Sequence, residues 1–200
     1  METSSEPLKF ELSPYTDRPE KQSPTTGIRG DVGHFGAVVV QRCPLYQPLA
    51  KSMDTVRLAG PAFPETVFRG KRRSGMPSLF KAGLTLDGHP ADLRFNARAL
   101  RKEDRALRIA YEGREYVYSV EGLGKAKVLE REGIRISMQP GQFVPSAGTG
   151  STGTTTGPAD AVDLAIAIVL EQVDTDVLTL SGAALSSPFA LMQHLSDRAE

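Results

Sequence analysis

Arg69-Gly70-Lys71-Arg72-Arg73 places four cations within five residues. Such a cluster neutralises phosphates or carboxylates, whether these belong to nucleic acid, an anionic lipid surface or an acidic protein. No aromatic residue interleaves with the cations to stack bases, so the cluster is poorly suited to reading single strands. Nucleic acid as a plain polyanion stays among the partners it could meet. Gly148-Thr149-Gly150-Ser151-Thr152-Gly153 fits the dinucleotide fingerprint letter for letter. In that fingerprint the glycines let backbone approach a pyrophosphate, and a helix opens within the motif. Here Thr154, Thr155, Thr156 and Pro158 intervene, and a Gly/Thr-rich linker produces the same letters by composition.

The remaining reactive side chains are scattered. Ser78-Leu79-Phe80-Lys81 has the serine–lysine spacing of penicillin-recognising enzymes, without their supporting motifs. His34, His89 and His194 stand singly, and Asp174-Thr175-Asp176 reads as a polar turn. Cys43 is the only cysteine, which excludes an intramolecular disulfide and a Cys-based metal centre. No catalytic residue, metal ligand or cofactor site is assigned.

Net charge is zero, but the zero hides a partition. Residues 69–138 carry 16 basic and 9 acidic side chains, and residues 139–200 carry 1 basic and 7 acidic. The cationic middle either packs against the anionic final third or meets an anionic partner.

The elements that must position these groups follow from alternation. Leu93 and Phe95, Leu107, Ile109 and Tyr111, Tyr116 and Tyr118, and Ile134, Ile136 and Met138 each recur at every second residue. That is the period of a strand with one apolar face. Asp87-Gly88, Glu112-Gly113, Glu121-Gly122 and Glu132-Gly133 fall between the runs and suit tight hairpin turns. The pattern predicts an α+β fold. Its centre is an antiparallel β-meander or small barrel over about residues 79–138, extended by strands near 35–41 and 56–58 and packed by C-terminal helices. At the level of fold alone, this order is similar to that of small barrels of the pleckstrin-homology type.

Four units are expected along the chain. Residues 1–30, punctuated by Pro7, Pro14, Pro19 and Pro24, read as a disordered or surface-draped arm, although Leu8, Phe10 and Leu12 could make one short strand. Residues 31–145 form the β-rich body, and 146–157 a Gly/Thr-rich linker. Residues 158–200 form a helical segment packed on the body: Ala161 to Val173, with Asp160 and Asp163 at its start, and a second helix over 188–197. The longest apolar stretch, Leu164 to Leu170, is too short to cross a bilayer, and the polar start has no export signal, so a cytoplasmic location is expected.

The functional expectation is a non-enzymatic binding or assembly protein. Its candidate residues for an acidic protein surface or a phosphate-bearing ligand are Arg69, Lys71, Arg72, Arg73, Arg94, Arg98, Arg108, Arg114 and Arg135. Two alternatives stand beside it. One is an enzyme or nucleotide-binding protein using the Gly-rich 148–158 loop. The other is a structural subunit of a homo-oligomer or larger assembly.

Overall fold

The computed structural model describes residues 7–18, 25–44, 53–73, 75–96, 105–121 and 126–179. Their strands are β1 (Leu8–Asp17), β2 (Thr25–Asp31), β3 (Ala37–Pro44), β4 (Met53–Gly60), β5 (Phe63–Arg73), β6 (Met76–Pro77), β7 (Gly83–Leu86), β8 (His89–Arg94), β9 (Leu107–Tyr111), β10 (Arg114–Glu121), β11 (Ala126–Arg131), β12 (Ile134–Val144) and β13 (Gly148–Thr156). One α-helix, α1 (Ala161–Glu171), follows. Chain neighbours pair antiparallel around the ring, and β5 pairs directly with β7 because the two-residue β6 hangs from the end of β5. The β4–β5 and β1–β13 ladders leave no open edge, so the other twelve strands form a closed barrel.

Closure with this many strands creates a lumen. A barrel of about eight strands is filled by its own side chains, and diameter grows with strand number. A helix about 10–12 Å across is what fills the larger space here. Leu164, Ala165, Ile166, Ala167, Ile168, Val169 and Leu170 are all buried, on every side of α1. A helix apolar all round has no face to show to water. It packs inside the barrel, most closely on β5, β12, β4 and β11, in one core cluster that includes Leu12, Ile28, Leu58, Phe68, Ile109 and Ile136. The expected C-terminal helix is therefore present, but it is enclosed by the sheet instead of lying on it. The second expected helix, 188–197, lies outside the described residues.

Two other expectations change. The segment read as a draped arm supplies β1 and β2, and the segment read as a linker is β13, which closes the barrel by pairing with both β12 and β1. Glycine at 150 and 153 is required by close approach. A Cβ on Gly153 would lie 2.1 Å from Phe10 Cζ, and one on Gly150 would lie 2.5 Å from the Leu12 carbonyl oxygen. The Phe10 ring takes the space a side chain would fill on its cross-strand partner Gly153, a known way of compensating a strand glycine. The fingerprint letters thus lie inside a strand, and there is no strand–turn–helix to cradle a pyrophosphate.

The two ends of the barrel differ. At the upper end, Pro61-Ala62, Asp87-Gly88, Glu112-Gly113 and Glu132-Gly133 make two-residue connections. Asp87 and Gly88, like Glu112 and Gly113, both have positive φ, as a type I′ hairpin requires. The chain enters the lumen at this end through Gly157 and runs down α1 to the lower end.

Candidate functional site

Strand β11 holds both ends of the buried helix. Lys127, Leu129 and Arg131 are at every second position and share its inner face. Arg131 Nε and Nη2 donate to the Asp163 carboxylate at 2.7 and 2.8 Å. Lys127 Nζ donates to the carbonyl oxygens of Glu171 and Val173 at 2.7 and 3.2 Å. Four residues of strand span roughly 13 Å, close to the ~16 Å length of an eleven-residue helix.

At the upper end, Asp160 caps α1 by accepting from the Val162 and Asp163 backbone N–H groups, each at 3.0 Å. Asp163 completes a capping box by accepting from the Asp160 N–H at 2.9 Å. Its carboxylate, fully buried, also accepts from the Tyr116 hydroxyl at 3.0 Å, and Arg114 bridges it to Asp160. Burial alone would raise the Asp163 carboxyl, but the Arg131, Asp160 and Tyr116 hydrogen bonds outweigh it and hold the group below its ordinary value. Burial, reinforced by the Asp163 charge, pushes the Tyr116 hydroxyl up to about 12. This neutral phenol contributes stability below the ordinary pKa of 10, and the contribution is lost as pH rises through the folded value. Burial raises Tyr118 as well, so absorbance titration should show several late-ionising tyrosines and one fewer in Tyr116→Phe; an unchanged titration curve would refute the assignment.

At the lower end a cavity of about 90 Å³ is bordered by Met76, Val120, Lys127, Val173, Asp174 and Thr175. Small-molecule sites are larger, roughly 300–1,000 Å³. Asp174 Oδ2 and Glu171 Oε2 are buried there without a hydrogen-bond partner, although Arg73 Nε approaches Asp174 to 3.8 Å and Lys127 Nζ approaches Glu171 to 3.6 Å. Burial raises the Glu171 carboxyl, and the nearby Lys127 offsets this only in part. Among the described residues no group of three or more His, Cys, Asp or Glu side chains is arranged to hold a metal. Ser78 is buried and donates to the Lys71 carbonyl oxygen at 2.7 Å, which ties down the chain after β5.

The nine cations expected to form one surface divide into three sets. Arg72, Arg73 and Arg114 are engaged at the ends of the barrel: Arg72 with the buried Asp54, Arg73 with Asp174, and Arg114 with Asp160 and Asp163. Arg94 and Arg135 point outward but pair with outward carboxylates, Arg94 with Asp92 and Arg135 with Glu121 and Glu130. Arg69, Lys71 and Arg108 are exposed and make no ion pair among the described residues. They lie within four adjacent strands, β5, β7, β8 and β9, where Arg108 is the cross-strand partner of Arg94. Arg98 lies outside the described residues.

The charge partition of the chain has a structural counterpart. Asp160, Asp163, Glu171 and Asp174 of the acidic third meet Arg114, Arg131, Lys127 and Arg73 of the basic middle. Arg131 and Lys127 were not among the sequence candidates. Their signal was available: both share a strand face with the apolar Leu129.

No helix of the described residues is long and apolar enough to cross a membrane. No family model, no curated protein and no solved structure matches this chain, so its function has to be argued from its own residues.

Proposed function

We propose that the protein is a non-enzymatic binding or assembly module that engages an acidic or phosphate-bearing partner through the outer wall of β5, β7, β8 and β9. The observation that supports this reading is the pairing state of the cations. Arg69, Lys71 and Arg108 stay exposed and unmatched among the described residues, while Arg72, Arg73, Arg94, Arg114 and Arg135 are paired with carboxylates. A lumen filled by α1 also leaves no room inside the barrel for a macromolecular partner, so docking of such a partner belongs to the outer surface.

The mechanism is electrostatic docking, with modest attraction per charge and strong screening by salt. Arg69→Glu/Lys71→Glu/Arg108→Glu should weaken retention of the protein on immobilised poly-glutamate or polyphosphate at least tenfold. Retention by the unaltered chain should fall steeply as salt rises. Salt-independent retention, or a triple variant that binds like the unaltered chain, would remove the proposal. Arg72 and Arg73 are unsuitable for this test, because reversing them would also strand Asp54 and Asp174 without counter-charges.

A further inference from the structure

Four inward-facing cations of the described residues are met by carboxylates. Arg114 and Arg131 meet Asp160 and Asp163, Arg72 meets Asp54, and Lys127 meets Glu171. Arg42 departs from that pattern. Val38 and Val40 are buried in the core while Ala37 and Val39 are exposed, so the two-residue period of β3 turns Arg42 to the inner wall near the lower end. It lies opposite Thr26 on β2 and Val56 on β4. Its Nε is buried and has no hydrogen-bond partner. Burial pushes the guanidinium below its ordinary value, and no carboxylate offsets that effect. Asp54, on the adjacent strand, already gives both oxygens to Arg72, at 2.6–2.9 Å.

A guanidinium has no accessible neutral form in proteins, so Arg42 cannot relieve its burial by losing a proton. A buried charge left alone is strongly unfavourable, and a buried donor without an acceptor adds to the cost. Arg42 as a residue is half-buried, so part of its side chain stays accessible although Nε does not. We infer that Arg42 anchors a binding site for a small monocarboxylate on the inner wall of the lower mouth, with the Thr26 hydroxyl beside it.

The class of ligand follows from charge and shape. One guanidinium unmatched among the described residues calls for one negative charge, and a carboxylate can meet its two terminal Nη groups with parallel hydrogen bonds, Nε itself being buried. A phosphate dianion would bring a second charge, while the neighbouring Arg72 is already committed to Asp54. Deeper in the barrel Val40, Val56 and Phe68 are fully packed, so the body of the acid points toward the opening. This site is separate from the outer cations and does not depend on them.

The Nε–Hε resonance of Arg42 in ¹⁵N-labelled full-length protein, assigned through Arg42→Lys, tests the assignment. Sodium propionate, sodium phosphate and sodium chloride are titrated at constant ionic strength. Propionate should shift that resonance saturably, at concentrations at least tenfold lower than any effect of chloride. The same response is expected from Arg69→Glu/Lys71→Glu/Arg108→Glu, which separates this site from the outer surface. In thermal unfolding, propionate should stabilise the unaltered chain and lose at least tenfold in apparent affinity for Arg42→Lys. A linear shift no larger than that of chloride overturns the site, as does equal stabilisation of Arg42→Lys. Tighter saturation by phosphate than by propionate overturns the monocarboxylate assignment.

Discussion

Asp163→Asn should cost the barrel about 3–5 kcal/mol, the usual penalty for removing one partner of a buried ion pair. The substitution keeps the shape of the side chain but removes the fully buried carboxylate that pairs with Arg131, whose own side chain is 23% exposed. Arg114 keeps Asp160, so the loss concentrates on Arg131. Urea unfolding of the two proteins measures the difference directly. A change under about 1 kcal/mol, the range of exposed pairs, would mean that the network does not fasten the helix.

The pH dependence gives an independent sign. The Asp163 carboxyl is held below its ordinary value of 3.8, so its contribution is fully present above that pH and is lost as pH falls through the depressed folded value. Glu171 acts in the opposite sense. Its raised carboxyl favours the folded state below 4.5, and that advantage is lost as pH rises through the folded value. The difference between wild type and Asp163→Asn isolates the first effect and should shrink toward low pH. In Arg131→Met the burial of Asp163 is no longer outweighed in the same way, so that carboxyl moves upward and the acid-side slope weakens or inverts.

Gly157→Val should destabilise the native barrel severely. Gly157 has φ +85°, and a Cβ there would lie 1.9 Å from the Gly133 carbonyl oxygen. A β-branched residue is a poor occupant of that backbone region. The obstructing atom is backbone in the turn between β11 and β12, so it cannot move aside as a flexible side chain would. Strain and overpacking together should cost about 3 kcal/mol or more, against a total stability of roughly 5–15 kcal/mol for a typical domain. Gly113→Ala is the matched control. Its φ is +76°, but nothing lies within 4 Å of the added Cβ, so only the backbone strain remains, about 1–3 kcal/mol. Circular dichroism melts of the pair provide the comparison, and equal midpoints would show that the close approach at Gly157 is not limiting.

The legible parts of this fold were those where hydrophobic period and turn chemistry agree. Leu107, Ile109 and Tyr111, followed by Glu112-Gly113 and then Tyr116 and Tyr118, specify a hairpin without ambiguity. β13 was hidden because glycine and threonine next to serine resemble a flexible linker. Its glycines make room for Phe10 and the Leu12 backbone, a requirement visible only once β1 is known to be its neighbour. Closure is non-local in the same way, since Leu8 pairs with Thr155 and no local pattern announces that contact.

The cations were read by density and not by parity. Arg114 shares its strand face with Tyr116 and Tyr118, and Arg72 shares its own with Phe68 and Gly70. Both were therefore directed inward by the same alternation that identified the strands. Asp160 and Asp163 were recognised as complements to the helix dipole, and they do cap α1. Which cations would meet them depended on the helix being enclosed. That in turn depended on the barrel having more strands than the 79–138 meander alone.

Enclosure also dictates when this polypeptide can fold. The first strand of the wall has its partner some 147 positions downstream, at Thr155, and the plug that fills the lumen is made later still. At a synthesis rate of roughly 5–20 residues per second, the early hairpins wait on the order of ten seconds or more with their apolar faces unburied. Nascent chains of this protein should therefore lean on holding chaperones until the final turn of the plug clears the ribosome.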